Sequence, residues 1–446
     1  MVLLPVFTPK QLAGVLLLIS FSVIVHIWYA YYILEFANDV SNFLTIANGR
    51  FRRNLPVVSV GQDIKFVLLW KSEWLAKAYL TKLNCVVQNC IFTENKRLLR
   101  DYTSFDAIIF SESILESDTK RPLLRSSSQL YVFASLESQV TYPACELHND
   151  NFFNWTMTYR LDSTVLWLFF VVRNLTGSVI APSIKPVWEK NDRPVASPLK
   201  SLLLKKTKAA AWIVSNCNAN SERAAYMVSL QEHLYHFSLN VDVYGKCSGI
   251  ICPNDNCNDL IKQDYYFYIA FENSLAKDYV TEKVLHGFDN HAVPIVYGGA
   301  NYSRFLPPGS YLNAMHLHPY NLAQKMKQII DDPELYENYF KWTNLYTIDS
   351  DPMKINPLCN FCEALNEEKA KSSPAMADFR LWRNGGRDGM KWCLKERYLN
   401  DTHIRPGQLY SPTLATMPDN YKTNQKLKKQ QKHKTRNTNT TTYIQL

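Results

Sequence analysis

Two glycine-rich motifs that commonly mark a nucleotide-binding loop are absent from this sequence. No G-x-G-x-x-G stretch occurs, so nicotinamide or flavin binding has no support, and no G-x4-G-K-[ST] stretch marks a P-loop. A single C-x2-C pair, Cys359 and Cys362, has the spacing of zinc ligands. No second C-x2-C or H-x3-H pair accompanies it, which argues against a zinc site there.

Acidic residues are absent from the C-terminal end of the chain. Residues 420–446 carry seven Lys or Arg side chains and no Asp or Glu. The 446 residues have a formal net charge of +9, so removing those seven cations leaves about +2 for the rest. The basic balance is therefore a property of the tail. We expect 401–446 to be a disordered low-complexity tail, with contact to acidic lipid as the alternative and no nucleic-acid partner.

Charged residues are absent from 12–34. About 20 apolar residues span a bilayer as a helix, and the tyrosines and Trp28 lie toward the C-terminal end of this run, where an aromatic belt is expected. A cleaved signal peptide is the alternative, but its apolar stretch would be shorter and followed by small residues. We therefore predict a transmembrane signal anchor at 12–34, a cytoplasmic tail at 1–11 and a stem at 35–61.

Cysteine, by contrast, is well represented. The ten cysteines are an even number, which fits disulfides formed in an oxidising compartment. N-x-[ST] acceptors at Asn154, Asn174 and Asn400 are glycosylation candidates that fit the same compartment. Together with the predicted anchor, these features indicate a glycoprotein of the secretory pathway.

Short apolar runs typical of strands alternate with helical patterns on both sides of a proline-rich segment. One long run, STVLWLFFVV at 163–172, is predicted to be a single strand. Four prolines indicate an extended linker at 181–200. Alternation of strand and helix predicts parallel sheets with crossover connections. We therefore predict an α/β fold with one Rossmann-like domain at 62–180 and a second at 201–400.

A polar loop follows the predicted strand at 265–271. Glu272 and Asn273 come directly after the strand, and in open α/β sheets ligands bind beyond the C-terminal ends of the strands. The next helix is predicted over 281–290 with Thr281 as its N-cap. Free N–H groups at a helix N-terminus favour an anion, so this loop could hold a phosphate.

Two charged residues near the start of that helix sharpen the hypothesis. Lys283 adds a full positive charge beside the helix N-terminus. Glu282 is unsuited to a phosphate but can accept hydrogen bonds from sugar hydroxyls. A nucleotide-sugar site is therefore one hypothesis, and an ordinary loop before a capped helix is the alternative.

The stretch YFYIAFENSLAKDYVTEKVLHGFDNHAVPIVYGGANYSRFLPPGSYLNA at 266–314 resembles the donor-binding signature of the α1,3-fucosyltransferases. That signature runs approximately F-x-L-A-F-E-N-S, D-Y-I-T-E-K, V-P-[IV]-V-x-G, N-Y and F-x-P-x-S-[YF]. FFNWTMTYRLDS at 152–163 resembles the family's second motif, and 214–226 and 241–247 match as well. The resemblance covers about residues 62–366. The extra cysteines after VYGKC are similar to those of the branch that fucosylates the N-glycan core.

The resemblance implies a fold, a location and an activity. The fold is GT-B type, with two Rossmann-like domains facing one cleft and a single N-terminal transmembrane helix before them. The location is the Golgi membrane, as a type II protein with its catalytic domain in the lumen. The N-terminal domain would bind the acceptor and the C-terminal domain GDP-fucose. The oligomeric state stays open.

The implied reaction is inverting transfer of L-fucose from GDP-fucose to O3 of N-acetylglucosamine, at the innermost core residue of N-glycans on glycoproteins. One alternative is a Lewis-type transferase that acts on terminal N-acetyllactosamine. Another is a weakly active or inactive Golgi relative that retains the nucleotide-sugar pocket.

The resemblance also assigns roles to individual residues. Five residues are expected to contact the donor: Arg223, Asn273, Tyr279, Glu282 and Lys283. Arg223 and Lys283 would hold the pyrophosphate, and the other three would line the nucleotide and the fucose. Glu137, in SLES at the end of a predicted strand, matches the family's L-E-[SC]-P element and would be the general base.

Many glycosyltransferases hold a metal with a D-x-D motif. Asp349 and Asp351 fit that pattern but lie beyond both sheet motifs and beside a proline, which indicates a turn. We therefore expect no metal site and no essential cofactor beyond the donor substrate, although a divalent ion can stimulate.

The resemblance further implies disulfides. Cys85 and Cys90 are expected to pair with Cys359 and Cys362, which would tie the N-terminal domain to the C-terminal region. A second expected pair joins Cys217 to Cys247, two cysteines of the C-terminal domain.

Three departures from the family pattern lie in the N-terminal half. Thr164 replaces the last Asp of a D-S-D element, and Gln139 stands where Pro usually follows the base. Residues 168–170 are Leu-Phe-Phe, where the family has a P-Y-G-like turn in which Gly can supply a positive φ. The donor motif is intact, so the departures bear on the acceptor side.

Overall fold

The computed structural model describes Ser22, His26 and most of the chain from residue 64 to residue 393. The described ranges are 64–70, 85–116, 121–253, 256–351, 355–367, 370, 373–386, 389–390 and 393. The predicted cytoplasmic tail, stem and basic tail lie outside these residues, as does the predicted anchor apart from Ser22 and His26. Among the described residues, no helix has the length and apolar character that crossing a membrane requires.

A parallel sheet occupies the first half of the described chain. Its strands are β1 (Lys65–Trp70), β2 (Cys90–Thr93), β3 (Ala107–Phe110), β4 (Leu130–Ser135), β5 (Trp155–Thr158) and β6 (Val165–Leu166). They lie in the order β2-β1-β3-β4-β5-β6, and each neighbouring pair is parallel. The central strands β3 and β4 are buried along their whole length, so their sequences are continuous apolar runs rather than alternating ones.

The chain then leaves this sheet and forms β7 (Val171–Asn174) and β8 (Val179–Ala181), which pair antiparallel. The prediction of one strand over 163–172 is therefore wrong, because that run is divided between β6 and β7. Trp167 is buried in the core of the first sheet, whereas Phe170 is buried in the core of the second half. The run is apolar throughout because its side chains pack in two cores. Apolar character alone does not show where the chain leaves one sheet and enters another.

A second parallel sheet follows. Its strands are β9 (Lys208–Ile213), β10 (Val241–Tyr244), β11 (Tyr265–Phe271), β12 (Val293–Tyr297) and β13 (Leu312–Asn313), in the order β10-β9-β11-β12-β13. Each neighbouring pair is parallel. The late strand β14 (Tyr346–Asp349) returns to pair antiparallel with β7. The α/β class with two parallel sheets agrees with the sequence pattern.

Eight α-helices lie within the described ranges. They are α1 (Ser197–Leu203), α2 (Arg223–His236), α3 (Cys257–Asp264), α4 (Lys283–Phe288), α5 (Pro319–Asp331), α6 (Pro333–Asn338), α7 (Pro357–Leu365) and α8 (Phe379–Asn384). Their boundaries follow local chemistry. For example, Asp332 accepts hydrogen bonds at 3.0 Å from both Glu334 N and Leu335 N, and Pro333 takes the first helical position of α6. The predicted linker 181–200 contains the start of α1.

The last described segment returns to the first sheet. In α7, Leu358 and Phe361 are buried against one face of that sheet, together with Leu69. In α8, Phe379 packs on the other face, with ring centroids 5.1 Å from Phe133 and 4.5 Å from Phe153. The sequence pattern placed these helices in a second domain at 201–400. The structure instead adds them to the core of the first, because their apolar faces complete its two uncovered sides.

All ten cysteines are paired, so Cys359 and Cys362 serve disulfides. Cys85–Cys359 and Cys90–Cys362 are the expected bonds between the first sheet and α7, and Cys217–Cys247 is the expected bond in the second half. Two further bonds were not anticipated, Cys145–Cys393 and Cys252–Cys257. Three of the five bonds fasten the C-terminal segment to the first sheet.

Candidate active site

The C-terminal ends of the two parallel sheets meet. Glu137 lies in the turn directly after β4, and Asn273 lies in the loop directly after β11. The residues that follow them touch, because the Ser138 hydroxyl donates a hydrogen bond to the Ser274 hydroxyl at 2.8 Å. The predicted base and the predicted donor loop are therefore neighbours in space, although 136 residues separate the two serines in sequence.

Glu272 organises the donor loop from inside. Its carboxylate is fully buried and accepts hydrogen bonds from the Thr281 N–H at 2.9 Å and from the Thr281 hydroxyl at 3.0 Å. Helix α4 begins at Lys283, so the N-cap position is Glu282 rather than Thr281, the N-cap that the sequence predicts. The Glu282 side chain makes no capping bond. The Thr281 hydroxyl oxygen still accepts a hydrogen bond from the Lys283 N–H at 3.5 Å, so the predicted helix start differs from the observed one by one residue.

Lys283 connects that buried carboxylate to the surface. Its Nζ lies 3.2 Å from Glu272 Oε2 and 3.3 Å from Glu282 Oε1, and it donates to the Thr281 hydroxyl at 2.8 Å. Burial works to lower the pKa of Lys283, but the two carboxylates outweigh it and the pKa is raised, so the cation is held firmly. Burial raises the pKa of Glu272, with Lys283 opposing that shift.

Arg223, the first residue of α2, lies against the end of β11. Its guanidinium donates to the carbonyl of Phe271 at 2.6 Å and to the carbonyl of Asn216 at 2.9 Å, while its buried Nε has no partner. Burial lowers the pKa of this side chain, and Glu272 opposes that shift. Arg223 thus joins the end of β11 to the loop that follows β9, and its role as a pyrophosphate contact stays a prediction.

Asn273 and Tyr279 line the inner side of the loop. The side-chain oxygen of Asn273 is buried with no hydrogen-bond partner, so this group can still accept a hydrogen bond. Tyr279 is buried and its ring lies edge-on to Tyr159 of the first sheet, with centroids 4.9 Å apart. Burial raises the pKa of Tyr279, and the charges of Glu137 and Glu272 raise it further. Tyr279 therefore belongs to the donor loop and also packs against the first half of the chain through Tyr159.

Additional contacts fix the donor loop against the first sheet. Lys277 Nζ lies 2.8 Å from Asp162 Oδ2, and Asp162 also accepts a bond from Arg160 at 2.9 Å. Asp278 accepts a hydrogen bond from the Leu161 N–H at 3.3 Å. The second motif of the sequence, which contains Arg160 to Asp162, therefore contacts the donor loop.

The departures from the family pattern lie around the same junction. Gln139 accepts a hydrogen bond from the Tyr159 hydroxyl at 3.2 Å, a contact that Pro could not make. Residues 168–170 do not have positive φ, so their backbone does not require Gly. Phe169 instead reaches Tyr279, with ring centroids 6.4 Å apart. Thr164 exchanges main-chain to side-chain bonds with Thr156 in β5.

The sequence pattern does not identify two charged residues of this region. Arg383 of α8 is fully buried and donates to the Glu137 carbonyl, and Glu112 follows β3 at the same edge of the sheet. Burial raises the pKa of Glu112, while the Arg383 cation opposes that shift. No motif marks either residue, because each acts only through partners far away in sequence.

The predicted glycosylation and D-x-D residues differ in their surroundings. The Asn154 side chain is half-buried, accepts from Tyr131 N and donates to Ser373 O, so its polar atoms already have partners and it is a poor acceptor for a glycan. Asn174 lies at an exposed turn, where the Thr176 hydroxyl donates to its side-chain oxygen at 2.7 Å. Asn400 lies outside the described residues. Asp349 of the D-x-D pair accepts a bond from Arg173 at 3.3 Å, on β14.

Known families match both halves of the chain. Residues 62–170 match the family described as fucosyltransferase, N-terminal, and residues 203–382 match glycosyltransferase family 10 (fucosyltransferase) C-term. A solved α1,3-fucosyltransferase with GDP-fucose superimposes with a TM-score of 0.44 and 16% identity, covering 71% of this chain and 94% of that chain.

Individual relatives agree with the family matches. Alpha-(1,3)-fucosyltransferase C of Drosophila melanogaster is 38% identical over 309 residues, which are 67% of this chain and 70% of the relative. Glycoprotein 3-alpha-L-fucosyltransferase A of the same organism is 31% identical over 74% of this chain and 63% of the relative. A human 4-galactosyl-N-acetylglucosaminide 3-alpha-L-fucosyltransferase is 30% identical over 71% of this chain and 82% of the relative. The chain therefore belongs to glycosyltransferase family 10, the α1,3-fucosyltransferases, as its motifs predict.

Proposed function

We propose that this protein transfers L-fucose from GDP-fucose to O3 of N-acetylglucosamine with inversion at the anomeric carbon. One observation carries the proposal: the hydrogen bond between Ser138 and Ser274 joins the Glu137 turn to the donor loop. Inversion needs a single in-line attack by the acceptor hydroxyl, so base and donor must face each other across one junction. The meeting of the two sheets in a GT-B arrangement supports this geometry.

Glu137 is the general base in this proposal. It follows β4 at the C-terminal edge of the first sheet, on the side that faces the donor loop. A carboxylate there can take the proton from the acceptor hydroxyl as the bond to fucose forms. Such a base contributes about 10²–10⁴-fold to the rate.

The departing GDP is stabilised by protein cations. Lys283 contacts Glu272 and Arg223 contacts Phe271, so both cations lie at the C-terminal end of β11. Charge that develops on the leaving pyrophosphate is stabilised best by groups that are already in place, and both side chains are held by several contacts. We therefore propose that Asn273, Tyr279 and Glu282 line the nucleotide and the fucose and that no metal is essential.

The acceptor in this proposal is the innermost core N-acetylglucosamine of N-glycans on glycoproteins. The extra cysteines that follow VYGKC, Cys252 and Cys257, support it, since they pair with each other in the donor half of the chain. The similarity to the Drosophila glycoprotein 3-alpha-L-fucosyltransferase A also supports it. We further propose a type II Golgi membrane protein, supported by the uncharged run at 12–34, the five disulfides and the exposed Asn174 sequon.

The test is a competition between two acceptors. The full-length protein in detergent is given GDP-fucose with an N-glycan core glycopeptide and with N-acetyllactosamine, and the products are identified by mass spectrometry. Preference for the core glycopeptide supports the proposal, whereas preference for N-acetyllactosamine would assign a Lewis-type activity. Binding of GDP without turnover of either acceptor would indicate a non-catalytic relative.

A further inference from the structure

Arg383 lies beneath the turn that carries Glu137, although 246 residues separate the two in sequence. Its side chain is fully buried, and its guanidinium lies 5.1 Å from the centroid of the Phe133 ring in β4. A fully buried arginine is rare unless its donors are used, so its contacts indicate its role.

The guanidinium spans the turn from one end to the other. Nη2 donates to the Glu137 carbonyl at 3.0 Å, and Nε donates to the Tyr142 carbonyl at 3.3 Å. The planar fork of an arginine can hold two acceptors in a fixed relation, which a lysine ammonium cannot. These two bonds therefore fix the backbone from which the Glu137 carboxylate projects.

A second carboxylate lies in the surroundings of the guanidinium. Glu112, after β3, is close enough for the Arg383 cation to act on it, and its Oε2 is buried without a partner. The remaining donor of Arg383, Nη1, is also buried without a partner. The two carbonyl contacts therefore hold the guanidinium at the Glu137 turn, and the nearby Glu112 carboxylate favours its positive charge.

The helix that carries Arg383 is itself held firmly. Asn384 donates to the Ala144 carbonyl at 2.9 Å and accepts from the Ala144 N–H at 3.0 Å. Arg380, one turn earlier, lies 2.6 Å from Asp150, and the Cys145–Cys393 disulfide closes the segment just beyond. The C-terminal segment therefore presents Arg383 on a rigid support.

We propose that Arg383 is a positioning residue that holds Glu137 in its reactive orientation, so that the C-terminal segment completes the acceptor side of the site. The inference rests on the proposed role of Glu137 as the base. A base displaced by about 1 Å loses on the order of 10²-fold in rate, so the effect falls on kcat rather than on donor binding.

The test compares Arg383→Met with Arg380→Met in the full-length protein. Both variants remove an arginine from α8, but only Arg383 touches the Glu137 turn. We expect Arg383→Met to lower kcat by about 10- to 100-fold with the KM for GDP-fucose and the Kd for GDP unchanged. The Arg380–Asp150 pair is about one-fifth exposed, so Arg380→Met should lower stability. It should still keep kcat within about threefold, because Arg380 does not contact the Glu137 turn and because Asn384 and the Cys145–Cys393 disulfide still hold α8.

Arg383→Lys covers the case in which Arg383→Met does not fold. It keeps the charge but reaches one carbonyl instead of two, so we expect an intermediate loss in kcat with donor KM again unchanged. Wild-type kcat in Arg383→Lys, or equal losses in Arg383→Met and Arg380→Met, would overturn the inference. Glu137→Gln separates the two hypotheses: if it stays active, the proposed base is wrong and Arg383 has nothing catalytic to position. If it is inactive while Arg383→Met is fully active, only the inference on Arg383 fails.

Discussion

The proposed donor side and the proposed acceptor side of the site are built in different ways. On the donor side, most predicted contacts lie in the single segment 272–283, and buried Glu272 fixes that segment through Thr281 and Lys283. On the acceptor side, the Glu137 turn is held by Arg383, a residue near the other end of the described chain. The donor side is a local motif, whereas the acceptor side is a tertiary assembly.

This difference accounts for where the family pattern is kept and where it changes. When one residue of a local motif is replaced, several contacts are lost at once, because the residues of the motif bind one another directly. A tertiary assembly can accept a substitution if a distant partner compensates, as when Gln139 replaces Pro and accepts a bond from Tyr159. The departures on the acceptor side therefore alter its surroundings and leave Glu137 in place.

The largest effect should come from the acceptor side. Glu137→Gln removes the proposed base while keeping the size of the side chain, and we expect kcat to fall by about 10²–10⁴-fold. The affinity for GDP, measured by calorimetry, should stay unchanged because Arg223 and Lys283 belong to the other sheet. Glu146→Gln, at an exposed position of the same half, is the matched control. A loss of GDP affinity in Glu137→Gln would contradict the separation of the two sides.

The next largest effect should come from the donor side. Lys283→Met removes a proposed pyrophosphate contact, and we expect kcat/KM for GDP-fucose to fall by about 10²-fold. It also leaves Glu272 buried without its counter-charge. The Lys283 side chain is 25% exposed, so we expect a loss of about 2–3 kcal/mol in the free energy of unfolding, less than for a fully buried pair.

Lys277→Met is the control for that variant. Lys277 lies in the same loop and also forms an ion pair, but its side chain is 49% exposed and its partner Asp162 is 36% exposed. An exposed pair contributes about 0–1 kcal/mol, so thermal unfolding and donor kinetics should change little. Equal effects of the two substitutions would show that stability and donor kinetics depend on the positive charge of the loop and not on the contact with buried Glu272.

The local structure of the donor side could be predicted from the sequence. Strand β11 and the polar residues after it follow from local pattern, and the Cys217–Cys247 disulfide follows from the family resemblance. The error there concerned Thr281, which lies one residue before the N-cap position because α4 begins at Lys283. The preference of Thr for an N-cap is a weak guide to the residue at which a helix begins.

The acceptor side could be predicted only in part. The position of Glu137 after a strand could be predicted, because an apolar run and a motif both mark it, and its role as the base stays a prediction. Arg383 could not be identified, because nothing near it in sequence shows that α8 returns to the first sheet. Residues 163–172 were wrongly predicted to be one strand for the same reason. The side chains of this apolar run pack in two different cores, and nothing in the run itself shows the division. Long-range partners of this kind leave no periodic signal.

A smaller effect should measure how strongly the two sides are coupled. Ser138→Ala and Ser274→Ala each break the hydrogen bond between the sheets, and the double variant breaks nothing further. A bond of this type is worth about 1 kcal/mol, so the cycle in kcat/KM should show a coupling of about fivefold. Strict additivity of the two single variants would mean that the two sides act independently.

The smallest effect should come from metal removal. If Lys283 and Arg223 neutralise the departing pyrophosphate, EDTA should leave kcat within about twofold of its original value, because both cations are already held in place by protein contacts. Asp351→Asn is the matched variant, since it tests the D-x-D pair while the Asp349 bond to Arg173 is kept. Activity that EDTA abolishes and manganese restores would assign part of the leaving-group charge to a metal. If Asp351→Asn were inactive as well, that metal would lie at the D-x-D pair. The donor side would then also depend on residues far apart in sequence, as the acceptor side does.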